Sequence, residues 1–151
     1  MLESEIDKKT ERWAGLEIGK RWDCQVYEMP KYYRIDWQLM KNEKTIGFAE
    51  FKARSYTFSQ LEELGGCKID LSKYLAIDEL SERTNLPVFL VIKCAMDDLY
   101  AYRHKRPEFR DLEYPEITRF GKSYRNLKND AEPAVVFPMN LFQKVNGPKN
   151  G

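Results

Sequence analysis

The sequence predicts a mixed α/β domain of the α+β kind. It would have a central mixed β-sheet flanked by helices, with elements in the order α-β-β-β-α-β and further strands at the C-terminal end. Three observations carry this. An amphipathic stretch without proline runs from Leu2 to Trp22. Two segments rich in β-branched and aromatic residues, Tyr33–Met40 and Lys44–Lys52, flank the polar break Lys41-Asn42-Glu43. A helical pattern over Leu71–Thr84 leads into the apolar run Val88–Cys94. A short polar break makes a hairpin and hence an antiparallel pair, whereas a helix between two strands makes a crossover, so both pairings meet in one sheet.

In the first helix, Leu2, Ile6, Trp13 and Leu16 gather on one side of the helical wheel. A second stripe, Glu11, Ala14, Gly15, Ile18 and Trp22, holds small residues that let a helix lie close to a sheet. Glu11 is its one charge; a solvated edge is the plain account of it. Asp23–Met29 reads as a first strand, ended by Pro30, which cannot donate to a ladder. The hairpin follows. Ala53–Gly66 is then read as a loop beside the mouth of any site on the preceding strand. Arg54 and Gln60 are candidate contacts to a bound ligand there, with an ordinary surface loop as the favoured account of each.

Asp70 offers an N-cap for the helix Leu71–Thr84, on which Tyr74, Ala76, Ile77 and Leu80 share a side with Lys73 in their midst. A lysine so placed also snorkels to solvent. Val88–Cys94 suits a strand buried on both faces, Asp97-Asp98 a turn, and Leu99–Tyr102 the returning strand of a hairpin. From Arg103 to Lys128 the chain is basic, aromatic and irregular, and Arg119, Lys122 and Arg125 are candidate contacts to a nucleic acid, since bases stack on rings while cations meet phosphates. His104, the one histidine, is read as a surface residue in its basic surroundings, which excludes metal sites that need several histidines. Ala134–Pro138 is a last strand and Met139–Phe142 a helical turn.

At 151 residues one domain is expected, over residues 1–145, with 146–151 as a frayed tail. No apolar run approaches the roughly 20 residues of a membrane helix. The acidic start Met1-Leu2-Glu3-Ser4-Glu5 lacks a signal peptide's apolar stretch, so the cytoplasm is the expected location and no membrane partner is expected. Cys24, Cys67 and Cys94 are odd in number and widely spaced, which suggests neither a disulfide framework nor a zinc knuckle. The formal charge of +1 is unevenly spread: residues from 101 onward carry a balance of +4 and the first hundred a balance of −3. The acidic excess suits a cation and the basic excess suits phosphates.

On the third predicted strand Glu50 and Lys52 point to one face with Ile46 and Phe48, while Gly47, Ala49 and Phe51 point to the other. Asp36 reaches the Glu50 face only if the register sets it opposite or diagonal to Glu50, which a regular hairpin achieves with an odd number of loop residues. Two carboxylates so placed repel one another and call for a divalent cation between them. Mg²⁺ takes a few carboxylates, keeps several waters and accepts phosphate oxygens; Mn²⁺ is expected to substitute.

Asp36 followed by Glu50-Phe51-Lys52 on adjacent strands resembles the core of the PD-(D/E)XK nuclease superfamily, with Ile35-Asp36 in place of its usual Pro-Asp. The element order from Glu11 to Ile92 is similar to that of small stand-alone nucleases of bacteriophages and mobile elements and, more loosely, of archaeal Holliday-junction resolvases. The resemblance implies a restriction-endonuclease-like core and metal-dependent hydrolysis of phosphodiester bonds in nucleic acid, DNA first, in the host cytoplasm if phage-encoded. It also implies roles: Asp36, Glu50 and the Phe51 carbonyl hold Mg²⁺, an acid from the first helix stands beside it (Glu11, with Glu5 and Glu17 competing), Lys52 orients water, and Lys73 helps to hold the phosphate. A homodimer is compatible with it. The alternative is a catalytically inactive module that keeps the nuclease fold and binds nucleic acid or protein, and a third reading makes the charges a surface ion-pair cluster.

Overall fold

The computed structural model describes residues 5–105, 116–119 and 133–147. After helix α1 (Glu5–Trp22) come β1 (Gln25–Glu28), β2 (Trp37–Lys41) and β3 (Lys44–Ala53), then α2 (Phe58–Glu63), β4 (Cys67–Asp70), α3 (Leu71–Thr84), β5 (Val88–Lys93) and β6 (Leu99–Arg103). Strands β7 (Glu116–Arg119), β8 (Pro133–Phe137) and β9 (Gln143–Lys144) complete the described strands, and Ala95–Asp97 and Met139–Leu141 are single 3-10 turns. Six strands form one sheet in the order β1-β2-β3-β5-β6-β9, and β4-β8-β7 form a second. The large sheet is mixed: β3 and β5 run parallel, joined by the α2-β4-α3 crossover, while its other neighbouring pairs are antiparallel. This is the predicted architecture, a central mixed sheet flanked by helices. Among the described residues, no helix is long and apolar enough to cross a membrane.

Alternation along β3 and β5 sorts the core into layers. Ala49, Phe51 and Val91 face α1 and pack with its Ala14 and Ile18, all within one cluster that includes Trp37. The second α1 stripe is therefore the buried one, and Leu16 of the first stripe is exposed. On the other face, Leu90 and Ile92 pack with Tyr74 of α3, with Cys67 and Ile69 of β4 and with Val135 and Phe137 of β8. Phe48 and Val88 meet Ala76 and Ile77 of α3 in a third cluster.

The structure corrects several expectations. Strand β2 begins at Trp37, because residues 33–36 form a bend. The stretch Ala53–Gly66, read as a loop, contains α2, and β4 follows it directly. Gly66, at φ +134, leads into β4 where a Cβ would overlap the Phe137 carbonyl oxygen, so β4 reaches β8 only with glycine there. The basic stretch read as irregular contains β7. His104 is buried, with Nε2 2.7 Å from Asp78 Oδ1 and Nδ1 3.4 Å from the Tyr102 hydroxyl. Asn146, expected in a frayed tail, is tied down: its Oδ1 accepts from the Leu99 N–H and its Nδ2 donates to the Asp97 carbonyl, both at 2.8 Å. The cysteines are free thiols, and burial pushes those of Cys67 and Cys94 up, Cys94 to about 11.

Candidate active site

The turn between β2 and β3 has two residues, Asn42 and Glu43, at φ 51 and 62, and pairs Lys41 with Lys44. Positive φ at both positions is the type I′ geometry that suits a twisted hairpin. An even loop carried on regularly would set Asp36 level with Ala49, on the wrong face. It does not carry on: the register shifts between Leu39 and Met40, which pair with Gly47 and Thr45 and leave Ile46 as an extra residue. Beyond this bulge Trp37 pairs with Ala49, and one more step sets Asp36 level with Glu50. The bulge supplies the odd residue that the sequence-based argument asked of the loop.

Glu50 lies on β3 level with Leu90 of β5, one step past the last pairing with β2, and is 0% exposed. Neither of its carboxylate oxygens accepts a hydrogen bond. Lys52 Nζ, two residues along the same face, and Lys73 Nζ, from the first turn of α3, each stand 3.4 Å from Oε2 as ion pairs. Lys73 Nζ also donates to the Arg34 carbonyl at 2.8 Å, which fixes its direction. Asp36 is half-buried, and its Oδ2 accepts from the Phe51 N–H at 2.9 Å.

Burial pushes the Glu50 carboxyl up to about 7, and the Asp36 carboxylate adds to this, while Lys52 and Lys73 oppose it. With both groups ionised neither can donate to the other. A proton on Glu50 lets Asp36 accept it, which favours the neutral form further. Two lysines therefore do not fully offset the desolvation of one carboxylate, and an added cation would. The donors present are hard oxygens, the class that Mg²⁺ and Mn²⁺ prefer. Beyond Trp37 strand β2 no longer covers this edge of β3. The Phe51 N–H turns there to Asp36, and in an extended strand the carbonyl of a residue points to the same side as its N–H. The orphaned oxygens of Glu50, Asp36 beside them and the uncovered edge at Phe51 fit a divalent cation.

Asp36, Glu50, Phe51, Lys52 and Lys73 are thus brought together. Glu11 is half-buried on α1, which packs on the opposite face, and the charges that act on Glu50 come from Asp36, Lys52 and Lys73. Glu5 is exposed at the start of α1, and Glu17 pairs with Lys20 and Arg21 at 4.0 Å. Arg54 and Gln60 have local structural duties. Arg54 donates to the carbonyls of Ala53 at 3.0 Å and Lys68 at 2.8 Å, fastening the end of β3 to β4. Gln60 closes the capping box of α2, its Oε1 accepting from the Thr57 N–H at 2.9 Å. Arg119 ends β7. Lys122 and Arg125 lie outside the described residues. Sequence reasoning missed Arg34, whose contribution is a backbone carbonyl that no side-chain pattern announces.

Comparison with known proteins bears on the fold and the family. Among curated proteins none matches the sequence. Among solved structures, Hjc, a Holliday junction resolvase from the archaeal hyperthermophile Archaeoglobus fulgidus, is similar in fold, with a TM-score of 0.55. The match covers 91% of this chain and 90% of that one at 8% sequence identity. The family described as "phage putative PDDEXK endonuclease" matches residues 1–145. Nearly the whole chain falls within that match, and the protein belongs to this nuclease family.

Proposed function

We propose that the protein hydrolyses phosphodiester bonds of DNA with Mg²⁺, or Mn²⁺ in its place, held by Asp36, Glu50 and the Phe51 carbonyl, in the cytoplasm of the host cell. The observation that carries this reading is Glu50: fully buried, without a hydrogen bond, beside a second carboxylate and within 3.4 Å of two lysines. The cation, when bound, supplies Lewis-acid polarisation of the phosphate and makes a water a better nucleophile.

This chain's residues do the rest. The Phe51 N–H fixes the Asp36 carboxylate. Lys52 is partly exposed at the site, and its ammonium orients the attacking water and stabilises negative charge that builds on the phosphate. Lys73, anchored by the Arg34 carbonyl, holds a phosphate oxygen. Glu11 stands on α1 across the sheet and takes no part in this reading. Arg119, Lys122 and Arg125 meet the DNA backbone. Hydrolysing both strands of a duplex in one encounter needs two such sites, so a homodimer belongs to this reading.

The test is incubation with supercoiled plasmid and Mg²⁺. Loss of the supercoiled form is expected, to stop with chelator and to slow about a hundredfold or more in Asp36→Ala and Lys52→Ala. A protein that binds plasmid but leaves it intact with either metal would instead be a non-catalytic binding module.

A further inference from the structure

The chain between β1 and β2 forms a closed loop beside the site. The Met29 N–H donates to the Asp36 carbonyl at 2.8 Å and closes its base, and the Tyr33 N–H donates to the Pro30 carbonyl at 2.9 Å and turns its tip. Two reciprocal bonds latch it to the first turn of α3: Lys73 Nζ donates to the Arg34 carbonyl and Arg34 Nη2 to the Ser72 carbonyl, each at 2.8 Å. The loop's tip carries Tyr32 and Tyr33, 83% and 52% exposed, with ring centroids 5.1 Å apart. Between loop and helix lies a groove of about 480 Å³ with Ile35, Phe48, Ala76 and Leu80 at its apolar floor and the two tyrosines on its wall.

Nothing in the hydrolytic chemistry uses this groove, yet it shares Arg34 with the site. Tyr33 is three residues from Asp36, at most about 11 Å along the chain, so the groove and the phosphate position belong to neighbouring nucleotides. Its volume is in the small-ligand range of roughly 300–1,000 Å³. A rim of exposed tyrosine rings over an apolar floor suits a flat aromatic ligand. A guanidinium has five N–H donors, so after its bond to Ser72 Arg34 keeps capacity for a phosphate oxygen.

We propose that this groove receives an unpaired nucleobase of the strand whose phosphate lies against Lys52 and Lys73. The substrate is then DNA with a base out of the stack at the cut, as in a single strand, a flap or a branch point. Extracting a base from an intact duplex costs free energy that these substrates have already spent. The inference rests on the nuclease reading for the strand's identity, while the groove is a separate observation.

The test uses metal-free protein and a single-stranded oligonucleotide with one 2-aminopurine, a base whose fluorescence falls on stacking, moved along the strand. Quenching is expected at one or two positions and is expected to vanish in the double variant Tyr32→Ala, Tyr33→Ala. That variant is expected to bind the strand roughly five- to 150-fold more weakly. Tyr32→Phe keeps the ring and is expected to keep the quenching, which a role for the hydroxyl would not allow. With Mg²⁺, a strand with unpaired bases is expected to be cut faster than an uninterrupted duplex of the same sequence. Quenching that is absent, or equal in wild type and double variant, would overturn the proposal. If such a protein still cuts DNA, the nuclease reading stands and the base groove falls; if quenching follows the tyrosines and nothing is cut, the converse holds.

Discussion

Glu50 is a carboxylate removed from water, without a hydrogen bond, and pushed up to about 7 from an ordinary value near 4.5. The shift has a consequence for folding. Well below pH 4.5 the group is protonated in both folded and unfolded chains and contributes no difference. Between that value and about 7 the folded chain holds a proton that the unfolded chain releases, so the metal-free protein loses stability as pH rises through this window. The loss is complete above it and amounts to about 3 kcal/mol. Denaturant unfolding of metal-free protein at pH 5 and pH 8 is expected to show this difference in wild type and not in Glu50→Gln. Equal pH dependence in the two would contradict it. At this scale the sequence was legible where alternation or a helical wheel decides direction. Glu50 and Lys52 share a face because they are two apart on one strand, and Lys73 sits on the buried side of α3. His104 was misread, because its exposed neighbours Arg103 and Lys105 give no hint that the ring turns inward to Asp78.

At the scale of elements, the β2–β3 hairpin decides whether Asp36 and Glu50 meet. Glu43 holds the second place of its turn at φ 62, where side chains are disfavoured and glycine is at ease. Glu43→Gly is expected to stabilise the fold by about 1 kcal/mol, read by urea denaturation, with cleavage unchanged; a loss of stability would show that the side chain matters there. The bulge gives a sharper expectation. Deleting Ile46 leaves the Trp37–Ala49 pairing in place, so cleavage should survive within about tenfold. Deleting Gln38 moves Asp36 by one position to the other face and should abolish cleavage in a protein whose circular dichroism shows it folded. Equal activity of the two deletions would refute the register argument. Helices α1 and α3 were readable from periodicity, and β5 from its apolar run. The bulge was not, because nothing in Thr45-Ile46-Gly47 names the residue left over. Strand β4 was missed because it is four residues long and pairs with β8, far along the chain. Helix α2 did carry a signal: Thr57 and Gln60 have the spacing of a capping box.

Across the whole molecule, the site lies on the face of the large sheet that α3 and the small sheet cover, while α1 closes the other face. The long crossover from β3 to β5 brings α3 over Glu50, which is how Lys73 and Lys52 reach one oxygen from positions 21 apart in the sequence. The described C-terminal strands join both sheets. Strand β8 completes the small sheet against β4, β9 pairs with β6, and Asn146 ties the chain to the turn before β6. Element order conveyed the first two thirds of this plan. The second sheet depends on contacts distant in sequence, which local pattern does not encode.

All of this layering converges on one claim, that Asp36 and Glu50 share a divalent cation. Calorimetric titration of Mn²⁺ into the protein at pH 8, where Glu50 is ionised, tests it most directly. One site per chain is expected, lost in Asp36→Ala and in Glu50→Ala and weakened as the pH falls below about 7. Binding of unchanged affinity in both variants would place the metal elsewhere and contradict the claim.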